Sequence, residues 1–411
     1  MSTVFRIWPK NLEEIKIYNN IYHNIEMKFY PDYWKRSNKV NSSIDIMINK
    51  VDKDSILNIF QKYNSNFTVL INDVNEYLKK IKLNENNIMN VSMFQMDTPD
   101  RINLLEYNSY DSIYNFLISV SVKYSDLIKL IKIGKSYKGR EIPIIKIGYS
   151  KKKKPTILID AGIHAREWIA PATALVFIKK LINKKKYFDK ILKNVDVYII
   201  PLMNPDGYEF SRNYDRLWRK TRSGPYRRRC FGVDANRNFN FKYGSEFGGS
   251  KRSCDEDYIG PRAFSENESL VLSNFVKSKI DVLKAYISLH SYGPLILYPW
   301  GYSKNAYLND LDDLKRLAQK VRSAIYSVNG RLYDIGTASE ILYPVGGASD
   351  DYIKSLGVKY TYTLEIGSPE SSNNNNYYGF HEPESKIRPL ANEIFAGILE
   401  VVKQVNKEFV L

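Results

Sequence analysis

Apolar residues recur along most of the chain in two periods, one typical of buried strands and one typical of helices. From residue 106 onward, short β-branched and aliphatic runs predict strands at 142–148, 156–159, 195–200, 283–289 and 360–364. Apolar residues spaced three and four apart predict helices at 110–124, 126–130, 170–181, 266–280, 311–325 and 387–405. This alternation over residues 106–411 predicts one large α/β/α domain around a mixed, largely parallel sheet.

The first 85 residues follow a different plan. Strand-like runs at 4–8, 27–30, 43–48 and 67–71 are interleaved with amphipathic helical stretches at 11–22, 54–63 and 74–81. The order βαββαβ predicts a small ferredoxin-like α+β domain over residues 1–85. Residues 86–105 are polar and irregular, which indicates an exposed linker, and Arg101 within it is a candidate cleavage site for a trypsin-like protease.

Composition narrows the class of protein. The 411 residues are 44% hydrophobic and 26% charged, as in globular proteins, and we expect no association with a membrane because no apolar run approaches a transmembrane length. The net charge of +16 favours anionic partners, but Lys is spread over the whole chain, which indicates a compositional bias. An RNA-binding role for the small domain is the alternative. Its strands carry no paired aromatic motif for stacking bases, so we expect no nucleic-acid partner.

The candidate chemistry lies at the ends of predicted strands. His164 and Glu167 follow the 156–159 strand directly, and His290 ends the 283–289 strand. Because ligands bind at the carboxyl ends of strands in open α/β sheets, these three side chains predict a zinc site with an open position for water. Of the other two histidines, we expect His23 on the surface of the small domain and His381 in a polar loop without an assigned function.

Six segments in order resemble the metallocarboxypeptidases of the pancreatic A/B type. They are 164–168 (HAREW), 216–222 (RLWRKTR), 232–239 (GVDANRNF), 289–292 (LHSY), 342–344 (LYP) and 363–365 (TLE). The similarity covers the chain from about residue 102 to the end, and the small domain resembles the globular activation segment of that family. The resemblance implies a zinc exopeptidase that is made as a zymogen.

The resemblance also implies a role for each matched side chain. One Zn²⁺ is expected on His164, Glu167 and His290, with Glu365 as general base and then acid, and Arg219 stabilising the oxyanion. Asp234 is the expected partner of the His164 ring. The terminal carboxylate of the peptide is assigned to Asn236, Arg237 and Tyr343, and Arg166 is placed deeper along the cleft. A catalytically silent homologue is the rival, but it predicts loss of a ligand or of the base, and none is lost.

Substrate preference depends on the pocket for the terminal side chain. Asp350 follows Tyr343 by seven residues, where an acid resembles the B-type pattern that pairs with Lys or Arg. Gly301 and Ala338, at other pocket positions, do not follow that pattern in full, and an acid at Asp351 occurs in both types. We therefore expect release of basic C-terminal residues, with A-type preference for hydrophobic or aromatic residues as the alternative.

Cys230 and Cys254 are the two cysteines, and by themselves they leave a disulfide or two free thiols open. The resemblance pairs them, which implies an oxidising compartment and secretion. The first nine residues lack the apolar core of a signal peptide, so the expected export has no visible leader. We expect a monomer that acts on peptide and protein C termini.

Overall fold

The computed structural model describes residues 2–21, 31–80, 102–149, 153–368 and 378–410. The chain divides into two compact units. The first gathers the described residues of Met1–Met96, Ala338–Pro344 and Glu370–Gly379, and the second those of Asp97–Thr337, Val345–Pro369 and Phe380–Leu411. The two units are described separately.

The first unit contains a four-stranded antiparallel sheet. Its strands are β1 (Ser2–Trp8), β2 (Asp32–Lys35), β3 (Ile44–Asn49) and β4 (Asn66–Ile71), in the order β2-β3-β1-β4. Its helices are α1 (Leu12–Asn19) and α2 (Lys53–Lys62), and residues 74–80 are also helical. This arrangement confirms the predicted ferredoxin-like fold. The strand predicted at 27–30 lies outside the described residues.

The core of the first unit forms where the alternating strands meet the apolar faces of the helices. Phe5 and Ile46, adjacent across β1 and β3, pack with Ile56 and Phe60 from α2. One charged pair is buried on the other face of the sheet, where Arg6 lies opposite Asp45 and donates two hydrogen bonds to its carboxylate, at 2.7 and 2.6 Å. Both charges are therefore buried but satisfied.

The second unit is built on an eight-stranded mixed sheet. The strands are β5 (Ile128–Lys135), β6 (Glu141–Ile147), β7 (Thr156–Ala161), β8 (Asp196–Ile200), β9 (Leu283–His290), β10 (Leu295–Leu297), β11 (Asp334–Gly336) and β12 (Tyr360–Glu365). Their order is β11-β10-β12-β9-β7-β8-β6-β5. The central strands β12, β9, β7 and β8 are mutually parallel, so their carboxyl ends meet at one edge.

Helices cover both faces of this sheet. The described α-helices are α3 (Tyr110–Lys123), α4 (Ile169–Asn183), α5 (Lys185–Asn194), α6 (Pro205–Asn213), α7 (Asn267–Lys279), α8 (Leu311–Asn329), α10 (Ser349–Ser355) and α11 (Ile387–Phe409), while α9 (Ala338–Ile341) belongs to the first unit. Ile157 and Ile159 join the apolar cluster on one face, and Leu158 joins the cluster on the other. The predicted α/β/α layering is confirmed. No helix in the described ranges has both the length and the apolar character of a membrane span.

One predicted helix is wrong. Residues 126–130 were expected to be helical, but Ile128–Lys135 is a strand that pairs antiparallel with Glu141–Ile147. The segment mixes apolar and basic residues, and pairing with the neighbouring strand satisfies backbone groups at the edge of the sheet. The exposed Lys129 and Lys132 protect this edge strand against pairing with other chains.

Glu268, in the first turn of α7, links the stability of the second unit to pH. Burial, with Glu266 and Asp206 nearby, raises the pKa of its carboxyl to about 8 from the ordinary value of 4.5. The folded protein therefore holds this proton more tightly than the unfolded chain, so stability falls as pH rises through this range. Glu268→Gln should remove this loss, which amounts to a few kcal/mol because one pKa unit corresponds to about 1.36 kcal/mol.

Thermal unfolding midpoints between about pH 5 and about pH 9 measure this effect. Glu400→Gln is the matched control, since Glu400 lies on α11 in a surface ion pair with Lys403. The control should keep the pH dependence of the unsubstituted protein. Equal pH dependence in all three proteins would contradict the assignment.

Candidate active site

The loop that joins β7 to α4 carries two of the predicted ligands. Gly162 opens this loop with φ of +69°, and a Cβ there would lie 2.8 Å from Leu202 Cδ1. Only glycine avoids this strain and contact, so the chain can turn immediately after the strand. The turn buries both His164 and Glu167, with relative exposures of 4% and 2%.

His290 joins these two side chains from the end of β9. His164 Nδ1 lies 2.8 Å from Glu167 Oε1, His290 Nδ1 lies 3.0 Å from Glu167 Oε2, and the two Nδ1 atoms are 3.1 Å apart. One ligand atom from each residue lies within 4.8 Å of the others, and all three residues are buried. Two imidazoles and a carboxylate facing one point are a donor set that fits Zn²⁺. The three predicted ligands are thus brought together.

Asp234 orients the ring of His164. Its Oδ1 lies 3.0 Å from His164 Nε2 and can accept a hydrogen bond from an N–H on that nitrogen. The Nδ1 lone pair is then free on the side of the ring where Glu167 lies. Although burial opposes ionisation, Arg219 and Arg237 hold the pKa of Asp234 well below its usual range. Burial, with Arg219 nearby, lowers the pKa of His164, which keeps the imidazole neutral. The ring is therefore held in the form that a metal ion requires.

Arg219 places a positive charge beside this cluster. It donates to Asp234 Oδ2 from Nε at 3.2 Å and from Nη2 at 2.9 Å, while Nη1 lies 3.6 Å from Glu167 Oε1. The backbone fixes its segment against the ligand loop, because Ala165 N–H donates to the Arg219 carbonyl at 2.9 Å. With 13% of its side chain exposed, the guanidinium is accessible to a ligand yet firmly oriented.

Glu365 ends β12 directly beside His290. The two residues are partners in the parallel register of β12 and β9, so their side chains leave the same edge of the sheet. Burial raises the pKa of Glu365 to about 7, and the nearby Glu167 adds to this while His290 and Arg219 oppose it. A carboxyl with this pKa can both take up and release a proton near neutral pH.

Asn236 and Arg237 lie in the turn that follows Asp234. Asn236 Oδ1 accepts a hydrogen bond from Ser349 N at 2.9 Å, which leaves its amide NH₂ to face a ligand. Arg237 Nη1 donates to the Asn236 carbonyl at 2.9 Å and lies 3.8 Å from Asp234 Oδ2. Gly347 packs on this turn, and a Cβ there would lie 2.3 Å from the Arg237 carbonyl oxygen. The close approach fixes both side chains near α10.

Asp350 stands at the start of α10 with 8% of its surface exposed. Its Oδ2 accepts a hydrogen bond from Thr363 Oγ1 at 2.9 Å, and its Oδ1 accepts one from Asp351 N at 2.9 Å. Asp351 is buried completely and accepts hydrogen bonds from the backbone N–H groups of Gly301 and Tyr302. Burial, together with Asp350, raises the pKa of Asp351 well above its ordinary value.

Two other predicted residues lie elsewhere. Arg166 is buried, with its guanidinium 4.1 Å from the ring centre of Phe380 and Nη1 donating to the Leu217 carbonyl at 3.4 Å. Tyr343 belongs to the first unit, where the Arg36 guanidinium lies 4.9 Å from its ring centre. The geometry of the second unit therefore places Arg166 but not Tyr343.

The cysteine pairing implied by the family resemblance is confirmed. Cys230 and Cys254 form a disulfide that closes a loop of 24 residues. Closing such a loop restricts the unfolded chain and typically stabilises a protein by about 2 to 4 kcal/mol. The disulfide holds the segment around Cys230, four residues before Asp234.

Among the described residues one further histidine, His381, is present, and it does not join the metal cluster. His23 lies outside the described residues. His381 lies in a loop, as expected, and its side chain is buried there. Burial, with Arg216 and Arg166 nearby, holds its pKa well below the ordinary value.

Four polar side chains near the site were missed. Ser288 and Thr363 lie two residues before His290 and Glu365 on the same strands, and Asp160 and Tyr286 are hydrogen-bonded to each other. The sequence did contain a signal for Ser288 and Thr363, because residues two apart on a strand point to the same face as the site residues His290 and Glu365. The partners of these hydroxyls could not be derived from spacing along the chain.

Comparison with known families gives two matches. A family described as "Zinc carboxypeptidase" matches residues 113–397, and one described as "Carboxypeptidase activation peptide" matches residues 5–80. Together they cover most of both units.

Individual relatives include both named types. Carboxypeptidase B of Astacus astacus is 38% identical over 305 residues, which cover 74% of this chain and 98% of that protein. Carboxypeptidase A4 of Mus musculus is 32% identical over 408 residues, which cover 98% of this chain and 93% of that protein. The solved carboxypeptidase A of Helicoverpa armigera has a TM-score of 0.89 at 22% identity, covers 99% of this chain and 98% of that chain, and supports the fold.

Proposed function

The chain belongs to the zinc carboxypeptidase family, and on that premise we propose that it removes lysine and arginine from the C termini of peptides. It is a zinc metallocarboxypeptidase made with an activation propeptide. The basic preference is the proposal, since the relatives include both A and B types. The observation that carries it is the carboxylate of Asp350, buried but for 8% and held by two donors.

In this proposal His164, Glu167 and His290 hold one Zn²⁺. When bound, the ion supplies the Lewis acidity that makes water nucleophilic near neutral pH and polarises the scissile carbonyl. Asp234 and Arg219 act around it, because the Asp234 carboxylate fixes the His164 tautomer and the Arg219 charge balances that carboxylate. The chain thus provides three ligands and a network that keeps them oriented.

Glu365 moves the proton. Its raised pKa, about 7, lets its carboxylate take a proton from the attacking water and its acid form pass that proton to the leaving amine. Arg219 stabilises the negative charge that develops on the carbonyl oxygen, an effect typically worth about 3 to 4 kcal/mol per donor. Arg219 lies between the ligands Glu167 and His290 in the sequence and Glu365 follows them, but both residues interact electrostatically with Glu167.

Recognition of a free C terminus is assigned to Arg237, Asn236 and Tyr343. Arg237 presents a planar guanidinium that can bind a carboxylate through two hydrogen bonds, and the Asn236 amide adds a donor. Arg166, buried between the ligand loop and Phe380, extends the positive charge along the cleft. A free carboxylate requirement makes the enzyme an exopeptidase.

Asp350 selects the terminal side chain. A buried carboxylate favours a cation strongly because leaving it unpaired is costly, and an apolar side chain cannot pair with it. Gly301 and Ala338 do not follow the B-type pattern in full, and A-type release of hydrophobic or aromatic residues is the alternative. Peptides that differ only in the terminal residue decide between the two, since faster release of Phe or Leu than of Arg would reject the basic preference.

The two-unit organisation supports a zymogen that a trypsin-like protease activates. We place the boundary in the linker at residues 86–105, after an activation domain of residues 1–85 and before a catalytic domain of residues 106–411. Arg101, the proposed cleavage site, lies outside the described residues. The disulfide supports secretion to an oxidising compartment, and peptide C termini are the partners of a monomeric enzyme.

Zinc affinity should depend on pH through His290. Burial opposes its protonation, but Glu167 raises its pKa to about 9, whereas the pKa of His164 is lowered. Below that pH the metal must displace one proton, so affinity should rise about tenfold per pH unit and level off above pH 9. Competition of the metal-free protein with a chelator of known pH dependence measures this slope.

Glu167→Gln provides the control for this prediction. It removes the anion that raises the pKa of His290, so zinc binding should weaken and its pH dependence should flatten. Affinity that is independent of pH in the unsubstituted protein would contradict the assigned protonation of the cluster. A chelator should abolish peptidase activity, and added zinc should restore it.

A further inference from the structure

A row of polar side chains crosses three neighbouring strands beneath the site. Asp160 on β7 is opposite Ser288 on β9, which is opposite Thr363 on β12. Ser288 Oγ donates to Asp160 Oδ1 at 2.8 Å, and Thr363 Oγ1 donates to Asp350 Oδ2 at 2.9 Å. The row lies two residues before His290 and Glu365 and therefore faces the same side of the sheet.

Tyr286 holds the buried end of this row. Its phenol hydroxyl donates to Asp160 Oδ2, and both residues are completely buried. Burial and Asp160 raise the pKa of Tyr286 well above its ordinary value. A buried phenol that binds a carboxylate in an apolar surrounding is a specific arrangement, because either group alone would be left unsatisfied.

The row of hydroxyls connects Tyr286 to the pocket carboxylate. Ser288, which donates to Asp160, is the register partner of Thr363, and the Thr363 hydroxyl donates to Asp350 Oδ2. Asp160 and Asp350 interact electrostatically, and burial, opposed by hydrogen bonds from Tyr286 and Ser288, raises the pKa of Asp160. Tyr286 thus helps to retain negative charge and order next to Asp350.

We propose that Tyr286 is a positioning residue for the selection of a cationic terminal side chain, acting on Asp350 through Asp160 and the Ser288–Thr363 row. The inference rests on the proposed preference for basic residues. Without the phenol hydroxyl, Asp160 loses one of two donors, so it binds a proton or draws Ser288 out of the row. Either change weakens the attraction for a cation, whereas an apolar side chain has no charge that responds.

Tyr286→Phe removes only the hydroxyl, so its effect on specificity can be measured directly. The full chain is loaded with zinc, activated by limited trypsin treatment and assayed on matched peptides ending in Arg or Leu. The ratio of kcat/KM for Arg to that for Leu should fall about tenfold, through a higher KM for the Arg peptide, with kcat unchanged. Tyr362→Phe is the matched control, since Tyr362 is a buried tyrosine of β12 whose hydroxyl donates to the Leu314 carbonyl. Its ratio should equal that of the unsubstituted enzyme.

Ser288→Ala keeps the inference testable if Tyr286→Phe does not fold, because it removes the other donor to Asp160 and should lower the same ratio. An equal loss on both peptides would show a purely structural role and overturn the inference. A normal ratio in Tyr286→Phe alongside a collapsed ratio in Asp350→Asn would overturn it while the proposed function stands. If the unsubstituted enzyme prefers Leu, the basic preference and the inference built on it both fail.

Discussion

Glu365→Gln is expected to lower kcat by about 10²–10⁴-fold, the contribution typical of a positioned general acid and base. Glutamine keeps the size of the side chain at the end of β12 but can neither accept the proton of water nor return it to the leaving amine. KM should change little, because Glu365 is not assigned to the terminal carboxylate or to the side-chain pocket. Steady-state kinetics on a peptide ending in Arg, with zinc content measured in parallel, checks this result.

Glu268→Gln is a suitable control for that experiment. It makes the same substitution at another buried carboxyl with a raised pKa, in α7 and without a role in the site. Its kcat should match that of the unsubstituted enzyme. Full activity of Glu365→Gln with one zinc bound would reject the proposed mechanism.

Asp350→Asn is expected to lower kcat/KM for peptides ending in Lys or Arg by about 10²–10³-fold, because losing one partner of a buried ion pair costs about 3 to 5 kcal/mol. Asparagine can still accept the hydrogen bond from Thr363 or from Asp351 N, so the pocket should keep its shape. Peptides ending in Leu should be hydrolysed as before or faster. A peptide series that varies only the terminal residue measures both effects.

Asp351→Asn is the matched control, because it makes the same substitution at the neighbouring carboxyl. Asp351 accepts hydrogen bonds from the backbone N–H groups of Gly301 and Tyr302, so its carboxyl is directed at the backbone, and asparagine there leaves the Asp350 carboxylate in place. Its preference for basic residues should persist. A loss of the preference in Asp351→Asn but not in Asp350→Asn would show that Asp351, and not Asp350, selects the basic terminal residue.

The spacing of apolar residues predicted the long helices and the central strands, because these elements bury side chains on one or both faces. The strand predicted at 156–159 is buried along its whole length and spans Thr156–Ala161. The helix predicted at 387–405 spans Ile387–Phe409. The segment at 126–130 was misassigned because a short stretch of apolar and basic residues satisfies either period. Its pairing with β6, a distant constraint, decided that it is a strand.

The sequence by itself predicted three metal ligands at strand ends and the two-unit plan, since these depend on residue type and local period, and its resemblance to a known family supplied the candidate base. The tertiary structure alone decided two other pairs, Asn236 with Ser349 and Tyr286 with Asp160, and it brings Asp234 to His164 as the resemblance implied. These pairs join residues up to 126 positions apart through strand register and buried hydrogen bonds. Spacing along a chain carries no record of such pairing, because folding brings those residues together through packing of the whole sheet.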